Sequence, residues 1–182
     1  LEPERRLATG LRSPGAGGRQ RIRHDRLDHR SSAPAQCWGK RGAEQAIGRS
    51  RGGLSTKIHA TVDALGNPTG FHLTPGQAHD LEGADVLLAE TAAETVIADK
   101  GYDAKARVVE PLLAQGKGVV IPSRSTKKVA RDYDRHLYQA RHLIENFFAK
   151  LKQYRAIATR YDKTARNFLG AIHLAATVVW LA

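Results

Sequence analysis

TVIADKGYDAKARVVEPLLAQGKGVVIP, from Thr95 to Pro122, decides the fold class. Thr95 to Ala98 is a short β-branched apolar run of the kind buried in a central sheet, and it delivers Asp99 to the strand's end. Asp103 to Gln115 then carries Ala106, Val109, Leu112 and Leu113 at helical spacing, and Gly116 closes that helix. Gly118 to Ile121 is a second apolar strand, stopped by Pro122. Strand, helix and strand in so short a span imply parallel pairing, with helices laid against the sheet. The class is α/β, and Asp99 stands at the carboxyl end of a strand, where such sheets place ligands.

Upstream, Leu54 to Val62 alternates with Ile58, Ala60 and Val62 on one face, Asp63 to Pro68 supplies turn residues, and Thr69 to Thr74 returns as a second strand. A hairpin therefore opens the sheet. Pro75-Gly76 breaks it, and Asp80 is placed to cap a helix running to about Ala92 on Leu81, Ala84, Leu87 and Leu88. His79 and Asp80 invite a metal reading, but a helix cap beside a loop histidine accounts for both. Downstream, Ser123 to Asp134 is a basic loop with Arg124, Lys127, Lys128 and Arg131. Near the end Thr164 is placed to cap a closing helix that turns Phe168, Leu169, Ile172, Leu174 and Ala175 inward.

The 182 residues suit one domain with a hydrophobic core. A lone cysteine, Cys37, excludes an internal disulfide, no Cys/His cluster has zinc spacing, and with no signal peptide legible the expected location is cytoplasmic. The longest apolar run, Ala171 to Ala182, is too short to span a bilayer, so no membrane partner is expected. Charge is uneven. Residues 1–56 carry 12 Lys/Arg against 5 acids, residues 57–122 carry 5 against 9, and residues 123–182 carry 12 against 4, for the total of +11. Basic ends favour a polyanion through counterion release, and the acidic middle suits a centre that holds cations.

Between loop and closing helix lies YQARHLIENFFAKLK, Tyr138 to Lys152. Leu143, Ile144, Phe147, Phe148 and Leu151 recur at helical spacing, and Tyr138, Arg141, Glu145 and Lys152 fall along one side, three, four and seven residues apart. Spacing alone would make Arg141 and Glu145 an ordinary i,i+4 surface pair. Tyr, two residues, Arg, three residues, Glu, six residues, Lys resembles the Y-R-E-K signature of insertion-sequence transposases of the DDE type. TVIADKGYD (Thr95 to Asp103), GRSRGGLSTKIHATVDALGNP (Gly48 to Pro68) and LTPGQAHD (Leu73 to Asp80) are similar to that family too, so the resemblance covers residues 43–182. It implies a ribonuclease H-like mixed sheet with flanking helices. It further implies a catalytic Asp-Asp-Glu triad with Asp99 second and Glu145 third, and DNA phosphate contacts from Tyr138, Arg141 and Lys152. Arg49 and Arg51, in the Gly-rich loop from Gly48, and Arg155, among interleaved aromatics and cations after Lys152, are further candidate DNA contacts. A plain linker and a solvated face are the competing readings of those two segments.

Residues 1–42 read differently: rich in Arg, Gly, Ser and Pro, without periodicity, they are expected to be a disordered basic arm. The family's first catalytic Asp belongs on a strand shortly before Gly48, and no such strand is legible. HDRLDHR, His24 to Arg30, encoded with permitted codons and read one base later, becomes Met-Ile-Asp-Ser-Thr-Ile-Val, a context of the kind the family uses. This reading puts everything before about Lys40 out of frame, with the first Asp lying across the codons of Arg26 and Leu27. Either the chain is the downstream frame of a frameshifted enzyme, or it is a decayed copy. Asp25 and Asp28 lack the expected strand setting.

The function implied is DNA transposition, with metal-dependent cleavage and strand transfer at phosphodiesters. Two divalent ions, Mg²⁺ by ligand preference, would be held by carboxylates that include Asp99 and Glu145. The partners would be the insertion-sequence ends and target DNA, engaged by a homo-oligomer in a synaptic complex, with the protein on the nucleoid when bound. A chain without its first Asp is expected to bind DNA weakly and not cut it. The alternative is a non-catalytic DNA-binding protein or transposition inhibitor, separable because a binder is indifferent to Mg²⁺ and to Glu145→Gln.

Overall fold

The computed structural model describes residues 19–28, 45–51, 53–89, 91–125, 127 and 131–181. Six strands among them form one mixed sheet: β1 (Arg19–Asp28), β2 (Gly48–Ser50), β3 (Gly53–Val62), β4 (Pro68–Pro75), β5 (Thr95–Ala98) and β6 (Gly118–Val120). β3 and β4 are the expected hairpin, Asp63 closing its turn by accepting from the Leu65 and Asn67 N–H groups. β2 continues the same edge of β3. On the other side β1 pairs antiparallel with β3 and parallel with β5, and β6 adds parallel to β5.

β1 corrects the sequence reading. Residues 1–42 were expected to be a disordered arm and the sheet to lack its first strand, yet Arg19–Asp28 runs down the sheet's centre. The physical reason is that β3 and β5 both offer unpaired backbone edges, and ladder bonds are made whatever the side chains are. Ile22, 1% exposed, supplies the apolar contact that fixes one face. The remainder of 1–42 lies outside the described residues.

Helices cover both faces. α1 (Leu81–Leu87), α2 (Glu110–Ala114) and the π-type turn Lys105–Val109 before it lie on one face. Their Leu81, Ala84, Val108 and Leu112 pack with Ile22, Val96, Ala98 and Tyr102. On the other face lie α3 (Arg135–Gln139), α4 (His142–Leu151), α5 (Arg155–Ala158) and α6 (Ala165–Leu181). There Ile144, Phe147, Phe148 and Leu151 of α4 meet Ile58, Ala60 and Val62 of β3 and Phe168 and Ile172 of α6. Each such burial is worth roughly 1.5–3 kcal/mol.

Several local expectations shift. α1 ends at Leu87, short of Ala92, and Asp80 does not cap it; its carboxylate instead takes the buried Lys57 ammonium at 2.7 Å. Ala106 and Leu113 point out, because the π turn rotates the buried stripe onto Val108 and Val109. Leu174 is 70% exposed, and Ala176 takes the inward place. Thr164 does cap α6, accepting from the Asn167 N–H. Opposite Ile58 and Ala60, β3 turns His59 into a polar pocket with Tyr102 Oη (3.3 Å) and Thr74 Oγ1 (2.8 Å). Gly83 permits this packing, since any Cβ there would collide with the His59 ring. No helix among the described residues is long and apolar enough to cross a membrane.

Candidate active site

β5 ends at Ala98 and the chain turns at once: Asp99 is extended (φ −69°, ψ 158°) and heads a 3₁₀ turn, Lys100–Tyr102, its carbonyl accepting from the Tyr102 N–H. Val96, Ile97 and Ala98 are fully buried, so the turn projects from a rigid strand. The Asp99 side chain is one-third exposed at the sheet's carboxyl edge. Since β1 runs parallel to β5 with Ile22 opposite Ala98, the next residues of β1 pass alongside Asp99.

The partner helix is broken where the sequence suggested continuity. Asp134 caps α3 by accepting from the Leu137 N–H, and α3 stops at Gln139. Ala140, Arg141 and Leu143 then bond back three residues, tightening the chain before α4 starts at His142. This joint sets Tyr138 and Arg141 against Asp99. Tyr138 Oη donates to Asp99 Oδ1 at 3.2 Å, and Arg141 Nη1 donates to Asp99 Oδ2 at 3.2 Å. Arg141 Nη2 reaches Glu145 Oε1 at 2.9 Å, one helical turn on. One guanidinium therefore joins two carboxylates 46 residues apart in sequence. Burial and the Asp99 charge raise the Tyr138 phenol above its ordinary value, against the opposing pull of Arg141. Tyr138 is thus a protonated donor at neutral pH. Arg141 also lies 5.5 Å from the Tyr138 ring centre, and Tyr133 stands edge-on to Tyr138 at 5.4 Å.

Asp99, Tyr138, Arg141 and Glu145 are brought together; the other sequence candidates are not. Lys152 is the exposed residue capping the end of α4, about 10 Å along the axis from Glu145 at the helical rise. Arg49, Arg51 and Arg155 are exposed on β2, the turn after it and the start of α5. Asp25 and Asp28, expected to lack a strand setting, in fact lie on β1, paired with Ile58 and Ser55 of β3; their side chains lie outside the described residues. Among the described residues no three His, Cys, Asp or Glu side chains form a metal-sized cluster, His79 and Asp80 included.

Sequence reasoning missed two charged centres. Asp103, its side chain fully buried, accepts from the Arg124 N–H (2.9 Å), Lys127 Nζ (2.7 Å) and Arg131 Nη2 (2.6 Å). Burial pushes its carboxyl up, but those bonds and the Lys127 charge outweigh it and leave it below the usual carboxylate range. The signal available was a carboxylate four residues past Asp99, followed twenty residues later by a run of cations. Arg160, expected among solvated side chains, is 4% exposed and donates to Thr56 Oγ1 (2.6 Å) and the Gln45 carbonyl (2.7 Å). Nothing in its neighbourhood in sequence announced that.

The profile of the transposase DDE domain family matches residues 9–180. The chain belongs to the DDE transposase family. A relative from Brucella ovis whose name carries the words transposase and insertion sequence element IS6501 is 42% identical over 132 residues, covering 70% of this chain and 99% of that protein. The chain is thus similar to insertion-sequence transposases, a family that acts on DNA in transposition and generally uses divalent metal. The family match begins before β1, so the strand absent from the sequence reading falls inside the matched domain.

Proposed function

We propose that this chain is the catalytic domain of an insertion-sequence transposase with a ribonuclease H-like sheet, in which Asp99 and Glu145 are two of three metal-holding carboxylates. The observation that carries it is the convergence of Asp99, at the end of β5, with Tyr138, Arg141 and Glu145 from the α3–α4 joint. The strand order β4-β3-β1-β5-β6, antiparallel through β1 and parallel after it, supports the fold assignment.

The donor set suits a hard cation. Both carboxylates are partly exposed, leaving room for waters and a phosphate, and a cationic guanidinium already lies between them. Bound there, Mg²⁺ would activate a water or 3′-hydroxyl and stabilise the leaving oxygen. The chain's own groups do the positioning. Tyr138, held protonated, offers a hydroxyl donor; Arg141 presents a planar fork to a phosphodiester; Lys152 extends the contact along the strand. These contacts orient the scissile strand and read no sequence. Arg49, Arg51 and Arg155 are further backbone contacts, and a homo-oligomer would pair the two ends.

The frame reading of residues before about Lys40 would leave the third carboxylate missing and this polypeptide unable to cut DNA; against it stand the pairing of Arg19–Asp28 as β1 beside β5 and a family match that begins at residue 9. The second reading, a DNA-binding inhibitor, is favoured by Arg141, which is paired with both carboxylates as they stand. The test replaces residues 20–39 with the sequence obtained one base later. Mg²⁺-dependent nicking and joining by the restored chain, and none by the original, are expected. Robust nicking by the original chain refutes the inactive reading; an inert restored chain favours the inhibitor.

A further inference from the structure

Segment 121–131 leads from β6 toward α3 and carries the cations Arg124, Lys127 and Arg131. Arg124, Lys127 and Arg131 are bonded to the stretch that follows Asp99, Lys100 to Asp103. The Arg124 guanidinium donates to the Lys100 carbonyl (3.2 Å) and the Gly101 carbonyl (2.6 Å). Arg131 donates from its backbone N–H to Ser123 Oγ (2.7 Å) and from its side chain to the Ile121 carbonyl (3.3 Å). The Asp103 carboxylate is the hub, taking Lys127, Arg131 and the Arg124 N–H together. Buried at 0% side-chain exposure, it holds both cations from beneath, while Lys127 and Arg131 stay 35% and 27% exposed.

Two counts show that these cations are not used up. One buried negative charge faces two ammonium or guanidinium charges and sits next to a third. An arginine has five N–H donors and an ammonium three; the bonds above spend two on each guanidinium and one on Lys127. The acids of the same loop are engaged locally: Asp132 accepts from the Tyr133 N–H and Asp134 caps α3. Position matters as well. Asp103 lies four residues beyond Asp99, roughly 8 Å at a 3₁₀ rise, and the chain after Arg131 leads into the helix that carries Tyr138.

We infer that Lys127 and Arg131, preorganised by Asp103, form a second phosphodiester-binding subsite that grips the DNA strand within a nucleotide or two of the phosphate at Asp99. The inference rests on the transposase reading and adds to it a site outside the Y-R-E-K set. Asp103 is a positioning residue: it fixes two flexible side chains so that less freedom is lost on binding. The role makes an opposite prediction to simple charge counting. Asp103→Asn raises the net charge by one, which by itself tightens DNA binding; losing the hub weakens it.

The experiment is fluorescence anisotropy of the full chain with a labelled 30-base-pair duplex, in 50–200 mM NaCl, with circular dichroism on every variant. Removing two phosphate contacts flattens the log–log salt slope by about 1.8, so the affinity ratio of wild type to Lys127→Gln/Arg131→Gln changes about twelvefold across that range. A charge-matched variant at exposed sites, Lys105→Gln/Arg107→Gln, whose side chains pair with Glu110 and Asp85, should leave the slope near wild type. Asp103→Asn should bind more weakly than wild type. The Lys127→Gln/Arg131→Gln pair keeps the question open to test if the buried substitution unfolds the chain. Equal slopes for the two double variants, or tighter binding by folded Asp103→Asn, overturn the inference and leave the transposase reading standing. A wild-type chain that does not bind the duplex at all sinks both.

Discussion

Replacing Arg160 with alanine tests how a buried cation holds the C-terminal helix to the sheet. The guanidinium is 4% exposed, donates to Thr56 Oγ1 on β3 and to the Gln45 carbonyl, and lies 4.6 Å from the centre of the Phe168 ring. Bonds from a charged donor contribute about 1.5–3 kcal/mol each, so losing the two to Thr56 and Gln45 costs about 4.5 kcal/mol, a lower bound because the same guanidinium also donates to the Asp162 and Ala46 carbonyls. The stacking on Phe168 adds about 1–2 kcal/mol. Against this stands the strain of keeping the charge out of water: burial pulls its pKa from 12.5 to about 10, opposed only by Asp162. At about 1.4 kcal/mol per unit, relieving that burial returns about 3 kcal/mol. The balance is a loss of about 3 kcal/mol, or roughly 6–12 °C in Tm for a domain of this size. Urea denaturation at pH 7 measures it directly. A loss below about 1 kcal/mol, with an unchanged m-value, would refute the claim that Arg160 staples α6 to β3.

Four other outcomes are expected. Asp103 has a lowered folded-state pKa, so its stabilising contribution is present above the unfolded value of 3.8 and is lost as pH falls through the lower folded one; melting curves between pH 2.5 and 6 should show a steeper acid loss for wild type than for Asp103→Asn. In the frame-restored chain, Glu145→Gln should cut plasmid nicking by at least about a hundredfold while duplex affinity in anisotropy stays within about threefold, because the substitution removes a carboxylate and leaves the phosphate contacts. Phe147, 2% exposed and packed on Phe71 and Phe148, should cost about 3–5 kcal/mol when truncated to alanine, read from urea unfolding. Leu174→Ser should change stability by less than about 0.5 kcal/mol, since the side chain is 70% exposed; a loss of 2 kcal/mol or more would restore it to the core.

Much of the sheet was legible because its strands announce themselves locally. β5 falls on Thr95–Ala98 as expected, and β3, β4 and β6 agree with the sequence reading within a residue or so at each end. Alternation and turn residues are properties of short windows, and these windows were clear. β1 was not legible because an Arg-rich strand owes its conformation to neighbours 27 or more residues away, and only Ile22 hints at a buried face. The break at Ala140 escaped for a related reason: no Gly or Pro marks it, and the bonds that draw Tyr138 and Arg141 to Asp99 come from another part of the chain. Asp99, Tyr138, Arg141 and Glu145 were singled out by spacing and resemblance together, and their side chains meet in the structure. Asp103 and Arg160 were hidden because burial of a charge depends on partners that no single segment contains.

The sheet's central strand also imposes an order in time. β3 and β4 close across a turn of a few residues, a contact that forms almost as soon as it is synthesised. Ile22 must wait for Ala98, seventy-six residues later, and at about 5–20 residues per second that is roughly 4–15 s on the ribosome. Among the described strands β5 joins the hairpin half of the sheet through β1, so the Asp99 edge cannot be assembled until the oldest strand accepts the newer one. The hairpin half is therefore expected to be the early, autonomous part of the domain and the Asp99 edge the late part, a sequence that pulsed hydrogen exchange would resolve strand by strand.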